Sequence, residues 1–361
     1  MKKYKISILI IGMIVLFTTL SYSATPREKT HEKKRQGTKV LVGAIRWDAW
    51  IGDTKNGISV GLQVERSLSP HKFHYRAPFF SKEIGPDSMQ SREITQDVMD
   101  QDIAYANYAG INYWAFVYYK NGSGMDIQRN LYLNSKVKLG LRWCLIIGST
   151  FDANELVWLI NQFKRSDYQK VFNQRPLLYL LEQGKNLKPD QLALIRKLSA
   201  AAGLNDPYIV LMSSEYVKPN IYADSLGVNA LSRYNSSAGK NGSPYFPDIP
   251  NADKNGWEDM KKTGAQVVPW VTAGRNMKPR IERSVSWQKI PADRWAADGT
   301  PEQIADNLQN SILWVKNNQQ TCAANTVIIY AWNEFDEGGW ICPTFGGNTD
   351  RIRAIRNVLK N

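Results

Sequence analysis

The sequence predicts an α/β protein of the (β/α)₈, or TIM-barrel, class in a single domain. The chain has 361 residues, 43% hydrophobic and 22% charged, which is an ordinary globular balance. Eight strand-like apolar runs alternate with helix-like segments along it. The turn after the first run, Arg46-Trp47-Asp48-Ala49-Trp50, lacks the glycine fingerprint of the rival doubly wound sheet.

The predicted strands are mostly continuous apolar runs, as expected for parallel strands that are covered on both faces. They are 40–47, 113–119, 141–148, 176–182, 208–214, 230–235, 266–274 and 326–334.

The predicted helices lie between these runs. Examples are 95–108, 153–164, 189–202, 254–263, 301–317 and 350–360. In the first of them Thr95 is a plausible N-cap, Asp97 suits the helix dipole and Gly110 stands where a C-terminal cap is expected. Segments 51–94 and 275–299 are long βα connections, which lie at the catalytic face of a barrel.

The first residues predict an export signal. Met1-Lys2-Lys3-Tyr4-Lys5 is positively charged, fifteen apolar residues follow, and small residues precede a cleavage point after Ser23. We therefore expect a signal peptide at 1–23, a basic linker at 24–39 and the barrel at 40–361. A retained membrane anchor is the alternative. The mature chain is expected to be periplasmic or extracellular, without stable membrane insertion.

Charge and histidine content exclude several classes of protein. The net charge is +13, but residues 1–39 supply +7 of it, so the body is too weakly basic to indicate nucleic-acid binding. Of the three histidines only His71 and His74 lie in the body, which disfavours Ser-His-Asp chemistry. These two have no cysteine or third histidine nearby, so we predict no metal site and no cofactor.

The end of the last strand is the strongest candidate for chemistry. The apolar run gives way abruptly to an acidic turn, residues 333–339, that contains Glu334, Asp336 and Glu337. Glycosidases need one protonated and one ionised carboxyl group. Two glutamates spaced by three residues face opposite sides of an ideal strand, so both reach a cleft only if the chain bends near Phe335. Gly338-Gly339 permits such a bend. A solvated turn or structural cap is the alternative.

Asn333-Glu334-Phe335-Asp336-Glu337-Gly338 resembles the Asn-Glu-Trp-x-Glu-Gly signature of glycoside hydrolase family 99 and of the related WbsX-like glycan-processing proteins. Segments 42–50, 176–179 and 268–280 are also similar to that family, and the likeness extends over residues 40 to 360. The chain departs from the family at Phe335, where Trp is usual, and at Asp336, where His or Gly is common. Arg275 stands near the position of a family Asp.

The resemblance implies a (β/α)₈ barrel that cleaves within α-linked glycans, typically mannosides, with retention and without metal. It implies that Glu337 is the general acid/base and that Glu334 is the assisting base on the sugar 2-hydroxyl. On these roles we expect a raised pKa for Glu337 and an ionised Glu334.

Residues at other strand ends are candidates for substrate binding. They are Trp47, Asp48, Trp50, Tyr119, Tyr234, Trp270, Arg275, Asn333 and Trp340. Trp47, Trp50 and Trp340 are expected to share one cleft, with core packing as the alternative for each tryptophan. Glu182 and Glu215 are reserve catalytic carboxylates or partners of arginines.

The sequence therefore predicts an exported glycoside hydrolase whose partner is an oligosaccharide or polysaccharide. A glycosyltransferase is the second interpretation, and it would need a nucleotide-sugar site. A non-catalytic glycan-binding protein on the same scaffold is the third.

Overall fold

The computed structural model describes residues 39–50, 54, 55, 58–181, 188–213, 226–237 and 240–360. The predicted signal peptide, nearly all of the predicted linker, Glu182 and Glu215 lie outside these residues. Residues Lys39–Asn361 group by their contacts into one unit. In the part of the chain that the structure describes, no helix has the length and apolar character needed to cross a membrane.

A mostly parallel, curled sheet forms the centre of this unit. Its first to sixth strands are Leu41–Arg46, Tyr113–Val117, Arg142–Ile147, Arg175–Leu181, Tyr208–Met212 and Ala230–Ser232, and its eighth strand is Thr326–Tyr330. In space the first strand lies between the second and the eighth, and the third to sixth follow the second in order. The short strand Lys170–Val171 pairs antiparallel with the fourth. The α/β class predicted from the sequence is confirmed.

The seventh strand is split, and its two pieces are the two ends of the sheet. Gln266–Val267 pairs with the sixth strand, and Trp270–Thr272 pairs with the eighth. Between them the Val268 N–H donates to Leu231 O at 2.9 Å, and Pro269 O accepts from the Ile328 N–H at 3.0 Å. Pro269 has no N–H to donate, so it interrupts the ladder. A closed eight-stranded barrel stays a prediction.

Helices cover the sheet. Five of the predicted helices begin and end within one residue of the prediction, and the one predicted at 254–263 begins six residues earlier, at Asp248. The α-helices of the described residues are Val60–Leu68, Gln96–Ala109, Ile127–Asn134, Ala153–Lys164, Pro189–Ala201, Asp248–Lys262, Lys278–Glu282, Pro301–Asn317 and Asp350–Lys360. Thr95 caps its helix as predicted, since its hydroxyl accepts from the Val98 N–H at 3.3 Å, and Gly110 ends it with φ +88°. The helices at 60–68 and 278–282 lie in the segments that the sequence assigned to long connections.

The amino-terminal half of the sheet interior is tightly filled. A side chain on Gly43 would approach the Tyr113 ring to 2.1 Å, so only glycine leaves room for that ring. The Tyr113 hydroxyl lies 2.8 Å from the Tyr179 hydroxyl and 2.9 Å from Thr326 Oγ1. This half is therefore a packed core, and chemistry is left to the opposite edge of the sheet.

Short hairpins and 3₁₀ turns lie in the segments between the main strands and helices. The hairpins pair Thr54–Lys55 with Ile58–Ser59, Lys82–Gly85 with Ser88–Gln90, and Asn333–Glu334 with Gly339–Trp340. The 3₁₀ turns are His71–Arg76, Gly124–Asp126, Gln319–Thr321, Phe335–Glu337 and Phe345–Gly347.

Candidate active site

The acidic turn is a tight hairpin at the carboxyl end of the eighth strand. Asn333–Glu334 and Gly339–Trp340 form its two short strands, and Phe335–Glu337 forms a 3₁₀ turn between them. The turn ends at Gly338, whose φ of +88° is accessible to glycine at little cost. The chain therefore bends where the sequence required it to bend.

Glycines allow this hairpin to press against the loop that follows the seventh strand. A side chain on Gly274 would lie 2.1 Å from Gly338 O, and one on Gly338 would lie 2.3 Å from Asn276 N. One on Gly339 would collide with the Tyr330 ring at 2.2 Å. The backbone of the acidic turn therefore packs directly against the backbone of residues 274–276. A side chain at position 274 or 338 would not leave room for this contact.

A buried arginine braces the same contact. Arg76 is fully buried, and its Nε donates to Phe335 O at 2.8 Å while its Nη2 donates to Asn276 O at 2.9 Å. Its guanidinium also lies 4.9 Å from the centre of the Trp340 ring. No local sequence pattern indicates this role, because Arg76 is distant along the chain from both segments that it joins.

Glu337 is held by cations on both of its oxygens. Arg275 Nη1 donates to Oε2 at 2.6 Å, the Tyr330 hydroxyl donates to the same oxygen, and Arg280 Nη1 donates to Oε1. The side chain remains 12% exposed. Burial alone would raise the pKa of Glu337, but Arg280 and Arg275 outweigh it and lower this pKa to about 2.

Arg280 also binds the neighbouring carboxylate. Its Nε and Nη2 donate to the two oxygens of Asp336 at 2.6 and 3.0 Å, and Nη1 donates to Gln288 Oε1 at 2.8 Å as well as to Glu337. Asp336 is only 1% exposed. This bidentate ion pair fixes the orientation of the Arg280 guanidinium, so Asp336 positions Arg280 against Glu337.

Glu334 has a different environment. It is buried, its Oε1 accepts from the Tyr234 hydroxyl at 2.8 Å, and its Oε2 has no hydrogen-bond partner. None of its hydrogen bonds comes from an arginine or lysine among the described residues. Burial, and then the negative charge of Glu337, raise the pKa of Glu334 well above its usual value.

The pKa values of the two carboxyl groups are therefore shifted in the opposite sense to our expectation. The sequence assigned the raised pKa to Glu337 and the charge to Glu334, but burial raises the pKa of Glu334 and the two arginines lower that of Glu337. The physical reason is Arg280, which the sequence analysis included in the family likeness without a role, together with Arg275. The signal available in the sequence was the run of arginines in the long segment before the eighth strand.

Asp48 lies in a buried ion cluster and not on the cleft surface. Arg46 Nε donates to both Asp48 oxygens at 2.9 Å, and Arg46 Nη1 donates to Asp102. Asn333 Nδ2 donates to Asp48 Oδ1 at 2.8 Å, and Asn333 Oδ1 accepts from the Trp47 N–H at 3.0 Å. Asp48 and Asn333 thus link the ends of the first and eighth strands, and their expected hydrogen bonds to sugar are replaced by these protein contacts.

Three aromatic side chains, Trp47, Tyr119 and Trp287, form a cluster next to Arg280. Trp47 is half-buried, its indole N–H donates to the Tyr119 hydroxyl at 2.7 Å, and its ring meets Trp287 edge-on at 6.0 Å. The Arg280 guanidinium lies 5.3 Å from the centre of the Trp47 ring. Trp47 and Tyr119 therefore lie beside the acidic turn as predicted, and Trp287 joins them from the segment 275–299.

Two other predicted tryptophans, Trp50 and Trp270, are buried in the core and do not lie with Trp47 beside the arginines. Trp50 is 2% exposed and packs on the rings of Phe80 and Phe335. Trp270 is fully buried, and its indole N–H donates to Ser236 Oγ at 2.9 Å. For these two the alternative of core packing is correct.

Trp340 is also buried, because a guanidinium covers its ring. Arg351 lies 3.6 Å from the ring centre. Trp340 lines a separate cavity of about 230 Å³ with Tyr75, Asp298 and Arg351, and neither catalytic candidate lines that cavity. The predicted single cleft of Trp47, Trp50 and Trp340 is therefore wrong.

The remaining predicted binding residues do reach the acidic turn. Tyr234 and Arg275 contact Glu334 and Glu337 directly, as described above, and both are partly exposed. Tyr330, which the sequence analysis treated only as part of a strand, contacts Glu337, Arg275 and the Tyr234 ring.

Among comparisons with known proteins, the one with solved structures supports the fold. No protein-family model matches the sequence, and no curated protein matches it significantly. Two solved structures of the glycoside hydrolase family 99 endo-α-mannosidase from Bacteroides thetaiotaomicron are similar, one of them in complex with bis-tris propane. They have TM-scores of 0.55 and 0.53 at 13% identity, over 88% of this chain and 95% of each of theirs. The chain has a fold like that of these endo-α-mannosidases.

Proposed function

We propose that this protein is a glycoside hydrolase that cleaves α-linked glycans of the mannoside type at Glu334 and Glu337. The observation that carries the proposal is the pair itself: two carboxyl groups of one turn at the carboxyl edge of a parallel sheet, one hydrogen-bonded by a tyrosine and one held by two arginines, with pKa values shifted in opposite directions. The fold shared with endo-α-mannosidases supports the substrate class. We further propose that segment 266–272 acts as the seventh strand of a closed barrel.

Glu334 is the proton donor in this proposal. A general acid must hold its proton until the glycosidic oxygen accepts it, and burial keeps the Glu334 carboxyl protonated. Tyr234 donates to Oε1, so the proposal places the proton on Oε2, which is buried and without a protein partner, and substrate entry has to expose it. Proton transfer leaves Glu334 ionised, next to the hydroxyl that already donates to it.

Glu337 is the ionised partner and acts once substrate draws Arg275 away. With two arginines bound, its carboxylate is a weak base, because its pKa is about 2. A sugar hydroxyl that accepts from Arg275 would remove one cation and raise the pKa of Glu337. The carboxylate then takes the proton of the sugar 2-hydroxyl, and the 2-oxygen attacks the anomeric carbon as the glycosidic bond breaks and the leaving group takes the Glu334 proton. Water opens the resulting 1,2-epoxide and gives its proton to Glu334, and Glu337 returns its proton to the 2-oxygen, while Arg280 and Asp336 keep Glu337 in place.

The test is hydrolysis of α-mannan and α-linked mannose oligosaccharides by the full-length protein, with the products followed by NMR. We expect release of products that retain the α-configuration. Glu334→Gln should lower the rate roughly 10²–10⁴-fold, since it removes a general acid. Glu302→Gln, on an exposed helix start, is the matched control and should keep the wild-type rate. Equal rates for wild type and Glu334→Gln would contradict the proposal.

A second function, a catalytically silent glycan-binding protein, is favoured by one specific observation. Arg275 and Arg280 neutralise Glu337, and Arg275 stands near the position of a family Asp. On this alternative the protein binds α-linked oligosaccharides in calorimetry but releases no product, and Glu334→Gln leaves the affinity unchanged.

We also propose that the protein acts outside the cytoplasm after removal of its leader. The support is the three-part pattern of residues 1–24. Mass spectrometry of the exported protein should find a chain that begins at Ala24 or Thr25. Full-length chain in the membrane fraction would contradict this.

A further inference from the structure

Two histidines and a glutamate outside the candidate active site lie together on the long segment after the first strand. His71 and His74 belong to the 3₁₀ turn 71–76, and Glu83 belongs to the hairpin strand Lys82–Gly85. One donor atom from each lies within 4.8 Å of the others, and within the described ranges this is the one such group of three. The sequence offered two ligands only, and the hairpin supplies the third.

The hydrogen bonding of His74 prepares it to bind a cation. Its Nε2–H donates to Ser69 O at 2.6 Å, because a carbonyl oxygen accepts only. The neutral ring therefore has no proton on Nδ1, which is buried and without a hydrogen-bond partner. A backbone carbonyl on the far ring nitrogen is the usual support of a metal-bound histidine. His74 itself is 5% exposed, so its orientation is fixed.

The other two groups complete a set that Zn²⁺ accepts. His74 Nδ1 lies 3.7 Å from Glu83 Oε2, close to the roughly 3.4 Å that separates ligands in a tetrahedral site with bonds of about 2.0–2.1 Å. The His71 and His74 ring centres are 5.2 Å apart. His71 and Glu83 are both exposed, so small side-chain rotations bring them to bonding distance.

Neighbouring cations do not compete for the carboxylate. Lys72 pairs with Glu282 and Lys82 pairs with Glu93. Asp87 Oδ1 accepts the His71 N–H at 2.9 Å and so fixes the start of the turn.

We propose that His71, His74 and Glu83 form a Zn²⁺ site, with water as the remaining ligand. The ion would join the turn 71–76 to the hairpin 82–90. Arg76, the last residue of that turn, braces the acidic turn through Phe335 O and Asn276 O. The ion therefore secures the segment that positions the acidic turn, without touching the reacting groups.

The test is calorimetric titration of the full chain with Zn²⁺ under reducing conditions, with X-ray absorption on the loaded protein. We expect one ion per chain, with two imidazoles and oxygen ligands at about 2.0–2.2 Å. His71→Ala and Glu83→Gln should each weaken binding about tenfold or more. Both residues are exposed, so neither change threatens folding. Glu302→Gln, an exposed glutamate at a helix start outside this segment, is the control and should bind as wild type does.

A thermal measurement gives a second readout that does not depend on glycan cleavage. Saturating Zn²⁺ should raise the Tm of wild type and Glu302→Gln, and it should raise that of His71→Ala and Glu83→Gln much less. The proposal is overturned if wild type binds no Zn²⁺ at about 100 µM, a concentration that would stabilise any site of useful affinity. It is equally overturned if both ligand variants bind as tightly as wild type.

Discussion

Two clusters of carboxylates and arginines lie at the ends of neighbouring strands, and they differ in how completely their atoms are bonded. In the first-strand cluster, Arg46, Asp48 and Asp102 are each about 5% exposed or less, and both oxygens of each carboxylate have a hydrogen-bond partner. In the acidic turn, Glu334 keeps an unbonded oxygen, and Glu337 and Arg275 remain partly exposed.

This difference separates a structural cluster from a reactive one. The Trp332 indole N–H and the Cys342 thiol donate to Asp102, and Asn333 donates to Asp48, so no oxygen of the first-strand cluster is left for a substrate. The acidic turn holds its carboxylates in place but leaves one carboxyl oxygen without a protein partner. A complete set of bonds indicates stability, and an incomplete one indicates chemistry.

The largest expected effect on stability distinguishes these clusters directly. Arg46→Ala leaves two buried carboxylates without a cation and should cost about 3–5 kcal/mol of unfolding free energy. Arg275→Ala should cost only about 1.5 kcal/mol, because Arg280 still binds Glu337. Urea unfolding at neutral pH measures both. Equal losses would remove the distinction between the clusters.

The next effect separates the tryptophans of the first-strand turn. Trp50→Ala should cost about 3 kcal/mol, because the side chain is buried against Phe80 and Phe335. Trp47→Ala should cost less stability and should weaken glycan binding more, because Trp47 is half-buried beside Arg280. Thermal unfolding and calorimetry with an α-linked oligosaccharide test the pair. Loss of glycan binding in folded Trp50→Ala alone would reverse the assignment.

These tryptophans also show what the sequence could predict. Apolar runs and caps are local signals, so the sequence predicts the helix from Thr95 and the strands, apart from the split seventh strand, to within a few residues. Burial of Trp50 depends on Phe80 and Phe335, which are distant in sequence, and no local pattern records that contact. The sequence could therefore name the aromatic candidates but could not rank them.

The candidate site shows the same limit in its electrostatics. The position of Glu334 and Glu337 followed from one motif, and the bend between them followed from Gly338-Gly339. Their protonation depends on Arg275 and on Arg280, which lie more than fifty residues earlier in the chain. A motif fixes which groups meet, whereas the surrounding cations fix which of them is charged.

A smaller effect appears in the pH dependence of stability. The pKa of Glu334 is raised in the folded protein, so its contribution is complete below the unfolded pKa and is lost as pH rises through the folded one. That loss approaches about 1.4 kcal/mol per pH unit. Glu334→Gln removes it, so the variant should gain stability relative to wild type from pH 5 upward. Urea unfolding at several pH values measures the gain, and parallel curves would contradict it.

The smallest effect concerns the charged member of the pair. The pKa of Glu337 is lowered to about 2, so its stabilising charge is present above the unfolded pKa and is lost as pH falls towards 2. Arg275→Ala removes one of the two cations and should raise this pKa by about 1. Arg283→Ala, an exposed arginine of the same segment, should leave it unchanged.

Carbon-13 NMR of labelled glutamate carboxyls, with Glu337→Gln to assign the resonance, follows the Glu337 titration directly. The same change should shift acid unfolding of Arg275→Ala to higher pH than that of wild type, because the variant loses the Glu337 charge earlier on acidification. If Arg275→Ala titrates as wild type does, Arg280 alone sets the charge. Release of Arg275 by substrate could then not make Glu337 a stronger base, and the proposed role of Glu337 in catalysis would be lost.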